Sequence, residues 1–324
     1  MSSIIKNIKY YLTLLGETYS ELLDDKGFKM AAALSYYSAF SLSPVLIIMI
    51  AIAGLFFGEE NARNQIVGQV NNLMGRDGAQ VVETMIKGAS QTSTGIFAAI
   101  IAIVLLVMGS VGVFLELQES LNIIWGVEFR PGKGLWMFIR NRLISFSMVL
   151  ATGFLMVISL VINALVTLLG SLLGGMFSWI LPVIKILDIT ISFVVITILF
   201  TLIFKYLPDI ILTWRQVVRG AVITSFLFTL GKFLIGLYIG NNSYTSTYGA
   251  AASLVVLFIW IYYSGLILFF GAEFTQVFTR KHTKIPLMAG KNAVLVPKVS
   301  QLVKESIAKG KKFDKNTDNH TGNN

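Results

Sequence analysis

Cysteine is absent from this chain, and histidine nearly so, with His282 and His320 its only examples. No disulfide, thiolate nucleophile or cysteine-held metal is therefore open to it. The two histidines belong to no cluster with metal-ligand spacing. Charge is also scarce, at 13% Asp, Glu, Lys and Arg against 55% hydrophobic residues and a mean hydropathy of +0.74. There is no glycine-rich phosphate loop, and the carboxylates are too few and scattered to hold the ions of a metal-dependent nuclease. The expectation is a non-enzyme with no catalytic, cofactor or metal residues.

What is present is a series of long apolar stretches: Ala31 to Phe57, Gly95 to Leu115, Leu143 to Leu169, Trp179 to Phe204, Gly220 to Ile239 and Ala250 to Gly271. Each approaches or exceeds the roughly 20 residues an α-helix needs to cross about 30 Å of hydrocarbon. The fourth and fifth are interrupted by Lys185, Asp188 and Lys232. The fold class predicted is all-α: a polytopic membrane protein with six transmembrane helices, an N-terminal amphipathic helix and a helical first external loop. Its parts are residues 1–29, a spanning domain at 30–280 that includes the 58–94 loop, and a basic, mostly disordered tail at 281–324.

Basic residues set the orientation, because cationic loops stay on the cytoplasmic side. Twenty-one lysines and arginines fall on the face carrying both termini, against three (Arg63, Arg76 and Lys87) on the other. Both termini are therefore expected on the cytoplasmic side. The net charge of +9 lies beside membrane ends and in the tail, where topology and anionic lipid account for it. Membrane lipids are the expected partners, with a homo-oligomer open and nucleic acid not expected. No short apolar core followed by a small-residue cleavage site marks a signal peptide.

Before the first stretch, Ile4, Ile8, Tyr11, Leu15, Tyr19 and Leu22 recur at helical spacing. Such a stripe fits a helix on the inner membrane surface, or one packed under the bundle. In the first loop, Ile66, Val67, Val70, Leu73 and Met74 form one stripe and Val81, Val82, Met85 and Ile86 another. Gly75-Arg76-Asp77-Gly78 between them reads as a break separating two short helices.

Polar groups in apolar stretches are where membrane chemistry is sought. The first stretch holds Ser35, Tyr36, Tyr37, Ser38 and Ser41, then Pro44, which removes a backbone donor and should kink the helix. With Tyr262 and Tyr263 these are candidates to line a central polar cavity; packing glue between helices is the alternative. Asp188 and Lys232 fall at similar depth on consecutive helices and, with Lys185, form a candidate charge pair, or else the lysines snorkel to the interface. Glu116, Glu119, Arg140, Arg142 and Glu273 form a candidate inner vestibule, or act only as anchors. Gly54/Gly58, Gly170/Gly174 and Gly236/Gly240 permit close helix approach.

Four regions carry a further signal: Ala32-Ala33-Leu34-Ser35-Tyr36-Tyr37-Ser38-Ala39-Phe40-Ser41-Leu42-Ser43-Pro44, Leu121-Asn122-Ile123-Ile124-Trp125, Tyr206-Leu207-Pro208-Asp209, and Tyr248-Gly249-Ala250 through Tyr262-Tyr263 to Gly271-Ala272-Glu273-Phe274. Together they resemble the YihY/BrkB family of bacterial inner-membrane proteins over roughly residues 25 to 280. The resemblance implies six spanning helices with cytoplasmic termini. Members are named variously as virulence factors, uncharacterised membrane proteins and, historically, ribonuclease BN. The reading of function is movement or distribution of a lipid-like or amphiphilic solute through the central path. A non-transporting scaffold is the alternative from another class, and a membrane-associated ribonuclease the third.

Overall fold

The computed structural model describes residues 2–90, 112–129, 180–241, 252–282, 288–290 and 293–296, with single helical positions at 147 and 158. Helix α1 (Ser2–Asp24) runs through a tight corner into α2 (Gly27–Phe57). Lys26 makes that corner in the left-handed region at φ 60°, and its carbonyl accepts from Lys29 N at 2.8 Å and Met30 N at 3.1 Å. A Cβ at Gly27 would lie 2.2 Å from Leu22 Cδ1, so only glycine lets α2 start this close to α1. The two arms of α2, Gly27–Leu42 and Val45–Leu55, meet at 51°, the kink expected at Pro44.

Gly58, at φ 80°, turns the chain from α2 into α3 (Glu59–Ser90). The helical backbone continues through residues 75–78, so the two short helices expected here are a single element. Two glycines cost a helix only about 1 kcal/mol each. Packing outweighs that, because Ile66 on one side and Val82 and Ile86 on the other share an apolar cluster with Leu46, Met49 and Ile50 of α2. In the same helix Lys87 Nζ meets Glu83 Oε1 at 2.6 Å and holds that carboxyl below the usual carboxylate range.

A helix over 112–124, α4, leads through Gly126 (φ 60°) into strand β1 (Val127–Phe129). Then come α5 (Ile180–Tyr206), β2 (Ile210–Ile211), α6 (Trp214–Asn241) and α7 (Ala252–His282), followed by β3 (Met288–Ala289) and β4 (Ala293–Leu295). Among the described residues three helices are long and apolar enough to cross a membrane, or four if bent α2 counts as one span. The expected second and third spans, 95–115 and 143–169, lie almost wholly outside the described residues.

Antiparallel α6 and α7 approach through reciprocal pairs: a Cβ on Gly220 would fall 1.7 Å from Thr275 Oγ1, and one on Gly271 1.9 Å from Thr224 Oγ1. Each threonine donates its hydroxyl to the carbonyl four residues back, Thr224 to Gly220 at 2.8 Å and Thr275 to Gly271 at 2.6 Å. Close approach without an orphaned hydroxyl results, the arrangement small residues give helices in lipid.

The stretch after α7 carries two short strands. Strand β4 pairs antiparallel with β1, Val127 opposite Leu295, and β3 pairs with β2, Ile210 opposite Ala289. Residues 288–289 and 293–295 are therefore paired with strands that lie before α6 and α5. Their signal was weak because strands of two or three residues lack a readable alternation.

Candidate functional site

Polar side chains concentrate where α1, the end of α4, the turn after α5 and the last turns of α7 meet. Pro208 stops α5 from continuing, and the next residue, Asp209, is buried. Its Oδ2 accepts from Gln118 Nε2 at 3.0 Å and Asn122 Nδ2 at 3.2 Å, while its backbone N–H donates to Asn122 Oδ1 at 2.8 Å. The carboxylate is thus held by two amides from α4, which fixes the α5–α6 turn against that helix. On α7, Gln276 donates Nε2 to the Ile124 carbonyl at 2.9 Å. Trp125, next in sequence, is fully buried, and its Nε1 lacks an acceptor among the described residues.

Glu273 is the extreme case, with 0% of its surface exposed and, among the described residues, no donor to either Oε1 or Oε2. The charged groups facing it are Asp25, whose carboxyl is in hydrogen-bonding reach, Glu21 and Arg280. Arg280 is engaged elsewhere, with Nη2 2.7 Å from Glu21 Oε1, and beside it Lys281 Nζ lies 2.6 Å from Glu17 Oε2. Those two ion pairs, with Leu14 packed on Phe274 and Val277, dock α1 along the end of α7. Of the stripe read on α1, Leu22 is buried, whereas Tyr11, Leu15 and Tyr19 face outward beside Tyr10, Leu12 and Leu23.

A second feature is apolar. Between α6 and α7 lies an open groove of about 280 Å³, lined by Leu227, Leu230, Leu234, Tyr263 and Ile267 together with Tyr19, Leu22 and Phe28 of the α1–α2 corner. A Cβ on Gly231 would lie 2.5 Å from the Tyr263 hydroxyl, so this glycine seats Tyr263 in the groove.

Residues read as a polar cavity are not brought together as one. Ser35 is buried but donates to the Ala32 carbonyl at 2.8 Å, and buried Ser41 sits against Gly112 of α4. Tyr36 and Phe40, 57% and 66% exposed, form an outward aromatic group with Tyr37, the Tyr36 ring 4.8 Å from Phe40 and 5.9 Å from Tyr37. Ser38 and Tyr262 are half-buried, and only Tyr263 lines the groove. The Pro44, Lys185 and Asp188 side chains lie outside the described residues. Lys232 is half-buried beside Trp260, Tyr263 and Ser264 of α7.

Of the expected vestibule, Glu116, Glu119 and Glu273 are described. Glu119 is exposed, and half-buried Glu116 has its carboxyl pushed up by burial and by Glu119. Arg140 and Arg142 lie outside the described residues. Among the described residues Glu273 faces Asp25, Glu21 and Arg280. Sequence reasoning missed Asp209, Asn122 and Gln118 as a constellation, although the first two stand in motifs it picked out. The gap of 87 residues between Asn122 and Asp209 hides their contact, and the signal available was an Asp straight after a helix-ending proline.

Comparison with known proteins agrees with the membrane reading. The family model described as Virulence factor BrkB matches residues 18–293. A UPF0761 membrane protein of Stenotrophomonas maltophilia is 27% identical over 264 residues, covering 80% of this chain and 59% of its own length. One from Ralstonia nicotianae is 26% identical, with 75% and 54% covered, and one from Pseudoalteromonas translucida is 28% identical, with 78% and 81% covered. The chain thus spans little more than half the length of the first two relatives. No solved structure matches.

Proposed function

Because this chain belongs to the virulence factor BrkB family of membrane proteins, we propose that it is a multi-pass inner-membrane protein with both termini cytoplasmic that binds and helps move a lipid-like amphiphile. The observation that carries this reading is the open groove between α6 and α7. Its lining is apolar apart from the two tyrosines, and it is large enough for an acyl segment. Binding sites for such ligands are mostly apolar with few polar groups. The path proposed is thus lateral and apolar, in place of the central polar one first expected. Six spans, with the 95–115 and 143–169 stretches supplying two of them, and the 21 to 3 charge asymmetry complete the topology. The reading invokes membrane lipid as partner and no catalytic chemistry.

A scaffold reading has one observation in its favour, the outward face of α1, where Tyr11, Leu12 and Tyr19 are all at least half exposed. Lipid mass spectrometry on the protein in native-membrane nanodiscs separates the two. The groove reading expects a lipid class enriched over bulk membrane and lost on Leu230→Trp, which fills the groove from a partly exposed position. Identical lipid composition in wild type, variant and bulk membrane overturns it.

A further inference from the structure

We propose that α1 lies in the membrane interface of the leaflet where α7 ends, with lipid covering its outward face of Tyr11, Leu12, Leu15, Tyr19 and Leu23. Placed at about 100° each, the residues of α1 divide its surface into three sectors. Leu14, Thr18 and Leu22 are buried, flanked by Glu17 and Glu21 in their ion pairs with Lys281 and Arg280. Lys9, Thr13, Ser20 and Asp24 are exposed and form a polar sector. Between the two, the five residues of the outward face occupy an arc of about 120°. They are 40% to 62% exposed. A helix that only packs under a bundle needs one apolar stripe, and α1 carries a second. Surfaces that face water rarely leave so many large apolar side chains contiguous. A helix divided in this way lies in a bilayer interface, its apolar face in the acyl boundary and its polar face in water.

What covers the outward face follows from the surface it adjoins. Tyr19 and Leu22 line the groove together with Leu230 and Leu234 of α6, and Phe226 and Phe233 of that helix are exposed. Helix α6 is long and apolar enough to span, so in this family of membrane proteins hydrocarbon covers its outer side. That surface passes to α1 through Tyr19. Within the arc from Leu15 to Leu23, α1 has no polar group other than the Tyr19 hydroxyl to interrupt it.

Depth and charge agree. A Cβ at Gly265 would lie 3.6 Å from Ala31 Cα, which sets the first turns of α2 beside the middle of α7. The ion pairs of α1 reach Arg280 and Lys281 at the end of that helix. Helix α1 therefore lies where α7 passes from an apolar run to Arg280, Lys281 and His282, the level at which hydrocarbon gives way to headgroups. Tyrosine favours that level, and α1 exposes Tyr10, Tyr11 and Tyr19. Lys9, Lys26 and Lys29 are exposed as well, while Glu17 and Glu21 are already paired. Asp24, in the polar sector, is left as the exposed carboxylate of α1. This balance suits a surface of anionic phospholipid.

The contact requires that the chain be inserted in a membrane, and does not require a cargo in the groove. Absence of cysteine makes it open to single-site labelling. Leu12→Cys and Leu23→Cys place a nitroxide on the apolar face, and Thr13→Cys and Ser20→Cys place one on the polar face. All four positions are exposed, so labelling spares the packing against α7. Each full-length variant is reconstituted in vesicles of phosphatidylcholine and phosphatidylglycerol. Power-saturation electron paramagnetic resonance then compares collision with oxygen, which concentrates in lipid, and with a water-soluble nickel chelate. Oxygen is expected to dominate at residues 12 and 23 and nickel at 13 and 20, so that the ratio reverses between the pairs. Nickel access at all four positions would mean that the face stands in water or serves a protein partner. Exclusion of both reagents from 12 and 23 would mean that a second copy covers it. Either result overturns the proposal, and neither depends on the lipid enrichment that tests the groove.

Discussion

The two ends of helix α2 are held by different physics. Beyond Pro44, its second arm packs on α3 through an apolar cluster, Leu46, Met49, Ile50 and Ala53 against Ala62, Ile66, Val82 and Ile86. At its start, the corner with α1 sits in a region fastened by directed bonds, with Asp209 gripped by Gln118 and Asn122, Gln276 bound to Ile124, and short strands closing the turns. Aliphatic contact fixes how much surface is covered but not which partner covers it. Directed bonds fix register, and leave a penalty wherever a partner is missing. Among the described residues the directed region also holds its penalties, in the Glu273 carboxyl oxygens and Trp125 Nε1, which meet no protein donor or acceptor there.

The largest break in this contrast is expected from Asp209→Ala. It strands two buried amides and releases the turn between α5 and α6, so unfolding stability should fall by about 3–5 kcal/mol. Denaturant unfolding in mixed micelles measures that loss, and proteolysis near residue 290 should accelerate with it, because Gly290 N donates to the Asp209 carbonyl at 2.8 Å. Ile66→Ala in the aliphatic region should cost less, about 2–4 kcal/mol, and leave proteolysis near residue 290 unchanged. If both variants open the same sites, the two regions are a single cooperative unit and the contrast fails. The smallest effect belongs to Lys281→Ala. Its ion pair with Glu17 is about one-third exposed on each side and contributes about 0–1 kcal/mol, weakening further as salt rises.

Legibility in the sequence followed the same division. The spans around α2, α5, α6 and α7 were readable because hydrocarbon solvent demands long apolar runs, and the Pro44 kink because proline removes a donor. Helix α3 was misread at Gly75 and Gly78, since glycine weakens a helix locally while the packing that sustains this one comes from α2. The glycine spacings singled out were not those joining α6 to α7. That contact uses Gly220 and Gly271, each facing a threonine of the other helix, a complementarity visible only across two segments. Glu273 was singled out with Glu116, Glu119, Arg140 and Arg142 as charges at the inner helix ends; the two arginines lie outside the described residues, and the approach of Asp25 after α1 was not foreseen because 248 residues separate the two.

The pairing of β1 with β4 also orders events during synthesis. Val127 emerges from the ribosome 168 residues before its partner Leu295, and the Glu128 partner Val294 is likewise made only after α7 is complete. Until then the end of α4 has no strand to bond with, and the Gly126 carbonyl waits for Val296 N, which reaches it at 2.9 Å. Contacts of such long sequence separation form late and slowly. Closing the strand pair is therefore a checkpoint on completed helix assembly, and a ribosome stalled before residue 290 should hold an inserted bundle whose α4 end a membrane-bound protease can still reach.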